Sequence, residues 1–260
     1  MVAPASGPHA QSKTPAPAPA AAPAANRGEI SKPSTGLVYS VARSLADIEA
    51  AWGLVYRAYM RSGLISPNPA RLHTQPQAVG PHTMVVAGRI GPVAVSTLSA
   101  YLDTEAGLPL DAVYPDEMRA RRDAGRKLAE GGLFADRRAR LTRSADSLFD
   151  LMRFVVLFAY CFGADDLMIG VHPRHAPFYR RFLGFEVAGP EKSYSVVNDN
   201  PVVLMEMNLA ARFADEPRRR GIAYFEQHPL TADDFAQRYT FPPAEVEASA
   251  LGEFLQMKPA

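Results

Sequence analysis

Glu130 is followed directly by Gly131 and Gly132, whose missing side chains would let a ligand approach the backbone. A carboxylate on a strand beside a cleft can accept a proton, directly or through a water. Arg126 stands four residues earlier, and alternation along a strand would put Arg126, Leu128 and Glu130 on one face. The two charges could then form a structural ion pair, leaving Glu130 without chemistry. Arg126 could instead meet a ligand's carboxylate bidentately. Asp103 and Asp111 flank a segment containing Gly107 and Pro109; they could hold an ammonium, or simply solvate a loop and cap a helix. His172 and His175 have a spacing that suggests zinc, but no Cys, Glu or third His stands nearby to complete a tetrahedral set. No metal is expected.

These side chains need elements to hold them. Arg126 to Phe134 reads as a strand carrying Glu130. An amphipathic helix follows, with Leu148, Leu151, Met152, Val155, Ala159 and Phe162 on one side, and Gly163 stops it. Leu167 to Val171 is a buried strand, and His175 to Leu183 a short helix closed by Gly184. Upstream, Leu37 to Val41 is a strand. Ser44 and Asp47 make a capping-box signal for a helix whose apolar face runs Leu45, Ile48, Trp52, Val55 and Tyr59 up to Gly63. Thr83 to Ala87 and Val93 to Leu102 have hairpin spacing, and Pro115 opens a helix through Arg122. Phe185 to Ala188, Tyr194 to Val197 and Val202 to Met207 read as the last strands. This mixture of hairpins and crossovers predicts an α/β (mixed α+β) fold with a central mixed, mostly antiparallel sheet flanked by helices.

The chain has 260 residues, 47% of them hydrophobic, and a net charge of +1. That supports one good-sized core and gives no sign of a nucleic-acid partner. Residues 1–35 are rich in Ala and Pro, cannot form a core and read as a disordered tail without the pattern of a secretory signal. Residues 36–210 form the globular domain. Residues 211–260 read as a C-terminal helical extension, with Thr231 and Asp234 capping one helix and Pro243 opening another that ends near Met257. Cys161 is the only cysteine and sits in an apolar helical run, as a structural thiol in a reducing cytoplasm would. No stretch reaches the roughly 20 apolar residues of a transmembrane segment.

The segment from His172 through Pro173, Arg174, His175, Phe178, Tyr179, Phe182 and Leu183 to Gly184-Phe185-Glu186, with this order of elements, resembles the Gcn5-related N-acyltransferase (GNAT) superfamily. The run Asp103-Thr-Glu-Ala-Gly-Leu-Pro-Leu-Asp111, then Tyr114, Gly125-Arg126-Lys127-Leu128-Ala129-Glu130, Pro173-Arg174-His175 and Tyr194-x-x-Val197-Asn198-x-x-Pro201, resembles the N-acyl amino acid synthase (FeeM-like) family. That family is similar in fold to acyl-homoserine lactone synthases. The resemblance spans roughly Val38 to Asn208.

It implies a GNAT-like N-acyltransferase that moves a fatty acyl chain from an acyl carrier protein thioester to the amine of an amino acid. Such a transfer needs a base, a polarised carbonyl and a thiolate able to leave. Glu130 would be the base. Tyr179 matches the superfamily tyrosine that protonates the departing thiolate, and packing is its alternative role. Arg126 could hold the acceptor's carboxylate and Asp103 its ammonium, while Arg174 and His175 would touch the donor's phosphate or the sheet edge. Leu133 and Phe134, with Arg137, Arg138 and Arg140, would face the acyl donor. Many coenzyme A-using members have a glycine-rich turn before the long helix. Here Asp136 to Ser144 contains no glycine and four arginines, which suits an acidic carrier protein or a solvated basic loop. No permanently bound cofactor is implied, and the cosubstrate would be acyl-ACP, with its phosphopantetheine arm, or acyl-CoA. An acetyl-CoA-dependent small-molecule N-acetyltransferase and a non-catalytic thioester-binding domain remain the alternatives.

Overall fold

Two helices with strongly apolar faces need a sheet between them. Helix α1 (Leu45–Arg61) starts where the Ser44 hydroxyl accepts from the Asp47 N–H at 3.2 Å, and it buries Leu45, Ile48, Trp52 and Val55. Helix α3 (Leu141–Cys161) buries Leu151, Met152, Phe154, Val155 and Phe158. In a computed structural model, which describes residues 28–32, 35–137, 141–214 and 230–257, an eight-stranded sheet separates them. Its strands are β1 (Glu29–Lys32), β2 (Leu37–Val41), β3 (Thr83–Ile90), β4 (Val93–Leu102), β5 (Leu128–Asp136), β6 (Asp166–Val171), β7 (Glu186–Tyr194) and β8 (Asn200–Asn208). They lie in the order β1-β2-β3-β4-β5-β6-β8-β7. Neighbours are antiparallel except β5 and β6, which run parallel and are joined through α3. Helix α2 (Pro115–Asp123) shares the α1 side of the sheet, where Met118, Trp52, Tyr101 and Met168 join one core; α3 builds the other with Met84, Leu167 and Met205. Among the described residues no helix is long and apolar enough to cross a membrane.

Several boundaries differ from the sequence expectation. The fold begins before residue 36: β1 pairs with β2 (Ile30 opposite Tyr39), and its one apolar residue, Ile30, is buried in the α3-side core. The rest of the expected tail, residues 1–27, lies outside the described residues. Strand β3 continues through Gly88 to Ile90. A Cβ at Gly88 would lie 2.8 Å from Tyr39 Cε1, so this glycine admits the neighbouring ring rather than ending the strand. Tyr194–Val197 is not a strand. β7 ends at Tyr194, Ser195–Val197 forms a 3-10 turn, and Asn198 and Asp199 take positive φ to reverse the chain. The helix expected from His175 to Leu183 is a 3-10 turn (Pro173–His175), one α-turn (Ala176–Phe178) and a π-helical turn (Tyr179–Leu183), closed by Gly184 at φ 78°.

The C-terminal residues dock on the domain. Phe235, in the helix Ala232–Ala236 that the Thr231/Asp234 capping box begins, packs edge-on against Phe158 of α3. The expected helix from Pro243 to Met257 is two, Pro243–Glu247 and Ala250–Gln256. It breaks where Ser249 caps the second, with its hydroxyl accepting from Gly252 N–H at 3.3 Å. Phe241 stacks on Trp52 with ring centroids 6.1 Å apart, and Leu251 N–H donates to Glu49 of α1 at 3.0 Å.

The connection from β4 to α2 is fixed by one guanidinium. Arg122 donates to Asp103 at 2.6 Å and to Asp111 at 2.7 Å, and Asp111 also accepts from Leu108 N–H at 2.7 Å. Paired charges of this kind are worth about 1.5–3 kcal/mol per hydrogen bond when only partly hydrated. Arg122→Ala is expected to lower stability by about 2 kcal/mol, measured as a shift of the urea unfolding midpoint. An unchanged midpoint would mean that the loop is held without it.

Candidate active site at the parting of two strands

β5 and β6 pair from Leu128 opposite Asp166 to Gly131 opposite Ile169 and then separate. β6 continues beside β8 to Val171, while β5 continues beside β4 to Asp136. No strand among the described residues pairs with the β6-facing edge of β5 beyond Gly131, so its backbone polar groups open onto the gap. β5 also carries a bulge. Ser99 is opposite Gly132 and Thr97 opposite Ala135, which sets two residues, Leu133 and Phe134, against Leu98. Leu133 takes a φ of 55° there, a left-handed conformation that a branched residue adopts only when its surroundings enforce it. The extra residue reverses the alternation, and Leu133 and Ala135 fall on the α1 side with Leu128.

A cavity of about 170 Å³ lies at this parting. Glu130, Gly132 and Leu133 contribute from β5, Gly170 from β6 and His172 just after it, Tyr101 from β4, Tyr59 from α1, Tyr194 from the end of β7, and His73 and Gln75 from the connection after α1. Glu130 is 5% exposed, and one carboxylate oxygen, Oε2, accepts from Leu110 N–H at 2.9 Å. Leu110 comes this close because Gly170 has no side chain: a Cβ there would lie 2.7 Å from Leu110 Cδ2. Tyr101 is the cross-strand partner of Glu130. A Cβ on Gly132 would lie 3.3 Å from the Tyr101 hydroxyl and 3.8 Å from Glu130 Oε1, so this glycine keeps space over the carboxyl group. Gly131 does something else. Its missing side chain faces Val155 of α3 at 3.2 Å and serves helix packing, while its backbone still lines the cavity.

No lysine or arginine among the described residues lines the cavity. Burial therefore pushes Glu130 well above the usual carboxylate range; the Leu110 N–H opposes the shift, and the charges of Asp111 and Asp103 add to it. Burial raises the Tyr101 phenol too, with Glu130 as the next cause, and Tyr194 is pushed up to about 12. His73 moves the other way, down to about 4, because burial disfavours the imidazolium. The usual order of basicity between a glutamate and a histidine is inverted here.

The other expected site residues are dispersed. Arg126 precedes β5 and does not pair with Glu130. It bonds Asp166 at 2.6 Å and, with Asp103, lines a separate groove at the opposite end of β5. Arg174 and His175 are exposed and bond each other at 3.1 Å, whereas their neighbour His172 reaches the cavity. Tyr179 packs edge-on against Phe185 and is pushed up to about 12 by burial; it does not line the cavity, but its phenol influences Tyr59, which does. Leu133 lines the cavity, and Phe134 is partly buried against the α3 core. Arg137 is exposed at the end of β5, while Arg138 and Arg140 lie outside the described residues. His73, Tyr101 and Leu110 were not recognisable as site residues. Tyr101 becomes one through its register opposite Glu130, and His73 sits in a Pro-rich connection with no local signal.

No curated protein matches the chain. Among solved structures, FeeM, an N-acyl amino acid synthase from uncultured soil microbes, is 28% identical with a TM-score of 0.58, over 67% of this chain and 91% of that one. TofI, solved in a ternary complex with an inhibitor and MTA, shares the fold at 21% identity and TM-score 0.54, over 72% and 96% of the two chains. The AHL synthase LasI shares it at 11% identity and TM-score 0.52, over 67% and 91%. The family model for N-acyl amino acid synthase FeeM matches residues 50–208, more than half of the chain, and this span holds Glu130 and every cavity residue named above. The chain is an N-acyltransferase and belongs to the FeeM N-acyl amino acid synthase family.

Proposed function

We propose that the protein transfers a long-chain acyl group from an acyl carrier protein thioester to the amine of an amino acid or similar small molecule, with Glu130 as the base. The observation that carries this reading is a buried carboxyl group, with no lysine or arginine among the described residues beside it, at the point where β5 parts from β6. An entering ammonium supplies the missing positive charge and meets a carboxylate made more basic by burial. Glu130 takes one proton, and the amine lone pair attacks the thioester carbonyl. The C–S bond breaks with its electron pair going to sulfur. The unpaired backbone edge of β5 is suited to a pantetheine arm, which carries amide groups. Tyr179, or Tyr59 next to the cavity, is suited to protonate the thiolate, since a phenol with a raised pKa keeps its proton at neutral pH.

Charge beside the gap favours a carrier protein as donor. Arg57 and Arg61 of α1 and Arg137 at the end of β5 are all exposed. The charges of Arg137 and Arg61 add to burial in lowering the Arg57 pKa, and no carboxylate among the described residues pairs with any of the three. A cluster of unneutralised guanidiniums suits an acidic partner. Apolar side chains at the cavity, including Leu64, Leu133 and Val202, favour longer acyl chains by about 0.8 kcal/mol per buried methylene.

Glu130→Gln is expected to lower turnover about a hundredfold, measured as thiol release from decanoyl-pantetheine with a mixture of amino acids; unchanged turnover removes Glu130 from the mechanism. In the wild type, kcat/KM should rise with pH as Glu130 ionises, and the Gln variant should lose that limb. Stability should change in the opposite sense. The folded protein holds the Glu130 proton to higher pH than the unfolded chain, so this contribution is full below the ordinary carboxylate pKa and is lost as pH rises through the raised value. Urea unfolding across that window should show wild-type stability falling relative to Glu130→Gln. Changing Arg57, Arg61 and Arg137 together to Gln should weaken transfer from acyl carrier protein, most visibly at low salt, and spare decanoyl-pantetheine. Equal loss with both donors would make the cluster structural.

A further inference from the structure

A second buried polar group faces this cavity and has no part in the mechanism above. His73 is 7% exposed and lies against Tyr59, with ring centroids 5.2 Å apart, and its backbone N–H donates to Trp52 C=O at 3.4 Å. Its Nε2 lies in the interior without a protein hydrogen-bond partner. An unmade bond of this kind costs about 1–3 kcal/mol, so it calls for a reason. Two neighbouring polar groups are already engaged: Gln75 donates to the Tyr194 hydroxyl at 3.1 Å, and Leu110 N–H occupies Glu130 Oε2. Glu130 Oε1, in the space that Gly132 leaves, accepts from no protein donor among the described residues. One cavity thus presents a carboxylate oxygen and, with the ring proton on Nδ1, an imidazole nitrogen, both able to accept. A primary ammonium has N–H groups for both.

We propose that His73 is a contact residue of the acceptor site, its Nε2 accepting a hydrogen bond from the same amine that gives its proton to Glu130 Oε1. This rests on the acyl-transfer reading. With two of its N–H groups held, the nitrogen has its lone pair fixed in direction when the proton leaves. The pair forms the C–N bond, the C–S bond breaks, and the second proton lost as the amide forms ends on the departing thiolate. His73 takes no proton. Burial keeps the ring neutral and able to accept, whereas an imidazolium would repel the ammonium. The titratable groups facing it across the cavity are Glu130, His172 and the phenols of Tyr59, Tyr101 and Tyr194, and no lysine or arginine among the described residues lines it.

The test is steady-state kinetics with decanoyl-pantetheine and the amino acid that the wild type uses fastest. His73→Ala should raise the acceptor KM about tenfold, the worth of one hydrogen bond. The donor KM and the ionisation that controls kcat/KM should stay in place, because Glu130 sets the latter. His73→Gln, which again offers an acceptor, should recover part of the loss. An unchanged acceptor KM in the Ala variant, or a Gln variant no better than Ala, overturns the assignment while leaving acyl transfer intact. If the wild type releases thiol with no amine, acyl transfer itself fails. His73 is then decided by nitrogen-15 NMR of histidine-labelled wild type titrated with the amino-acid mixture: a shift of Nε2 supports the contact, and an unmoved resonance overturns it.

Discussion

A carboxyl group buried with no lysine or arginine among the described residues beside it is unfavourable, and several separate features of this fold are arranged around that cost at Glu130. The Leu110 N–H supplies one hydrogen bond, delivered by a loop that Arg122 anchors through Asp103 and Asp111. Gly170 lets Leu110 come close enough, and Gly132 keeps the other oxygen clear. A buried group held this way has a raised pKa and is a stronger base when ionised. The charge that is missing from the free site is the one an ammonium brings.

The sheet provides the place. Parallel pairing of β5 with β6 requires a crossover, and α3 makes it; where the two strands diverge beyond Gly131 and Ile169, no strand among the described residues pairs between them and a cavity opens. The bulge at Leu133 then turns the continuation of β5 so that Leu133 reaches the cavity beside Glu130. Packing and chemistry divide two adjacent glycines between them, Gly131 against α3 and Gly132 beside the carboxyl group.

Cations are used elsewhere. Arg126 with Asp166, Arg121 with Glu206 and Lys192 with Glu117 tie α2 and its neighbouring turn to the sheet. Arg57, Arg61 and Arg137 stay on the surface beside the gap. Keeping guanidiniums out of the cavity preserves the basicity of Glu130, because an adjacent Arg would lower its pKa. The C-terminal helices act on the same framework from outside, through Phe241 on Trp52 and Leu251 on Glu49.

Local signals in the chain determined most of the elements. The Ser44 cap, the apolar faces of α1 and α3, the β3–β4 hairpin and the Gly184 stop depend on neighbours a few residues apart. Glu130 beside two glycines pointed to a strand position that lines the cavity, and scattered motifs pointed to the family. Tertiary structure decided what Glu130 meets. Alternation suggested Arg126, but Arg126 lies before the strand and is taken by Asp166. Tyr101, Leu110 and His73 reach the carboxyl group's cavity from 29, 20 and 57 residues away in sequence. Cross-strand register, a bulge that shifts parity and close approach at a glycine are long-range contacts, and no local pattern of residues encodes them.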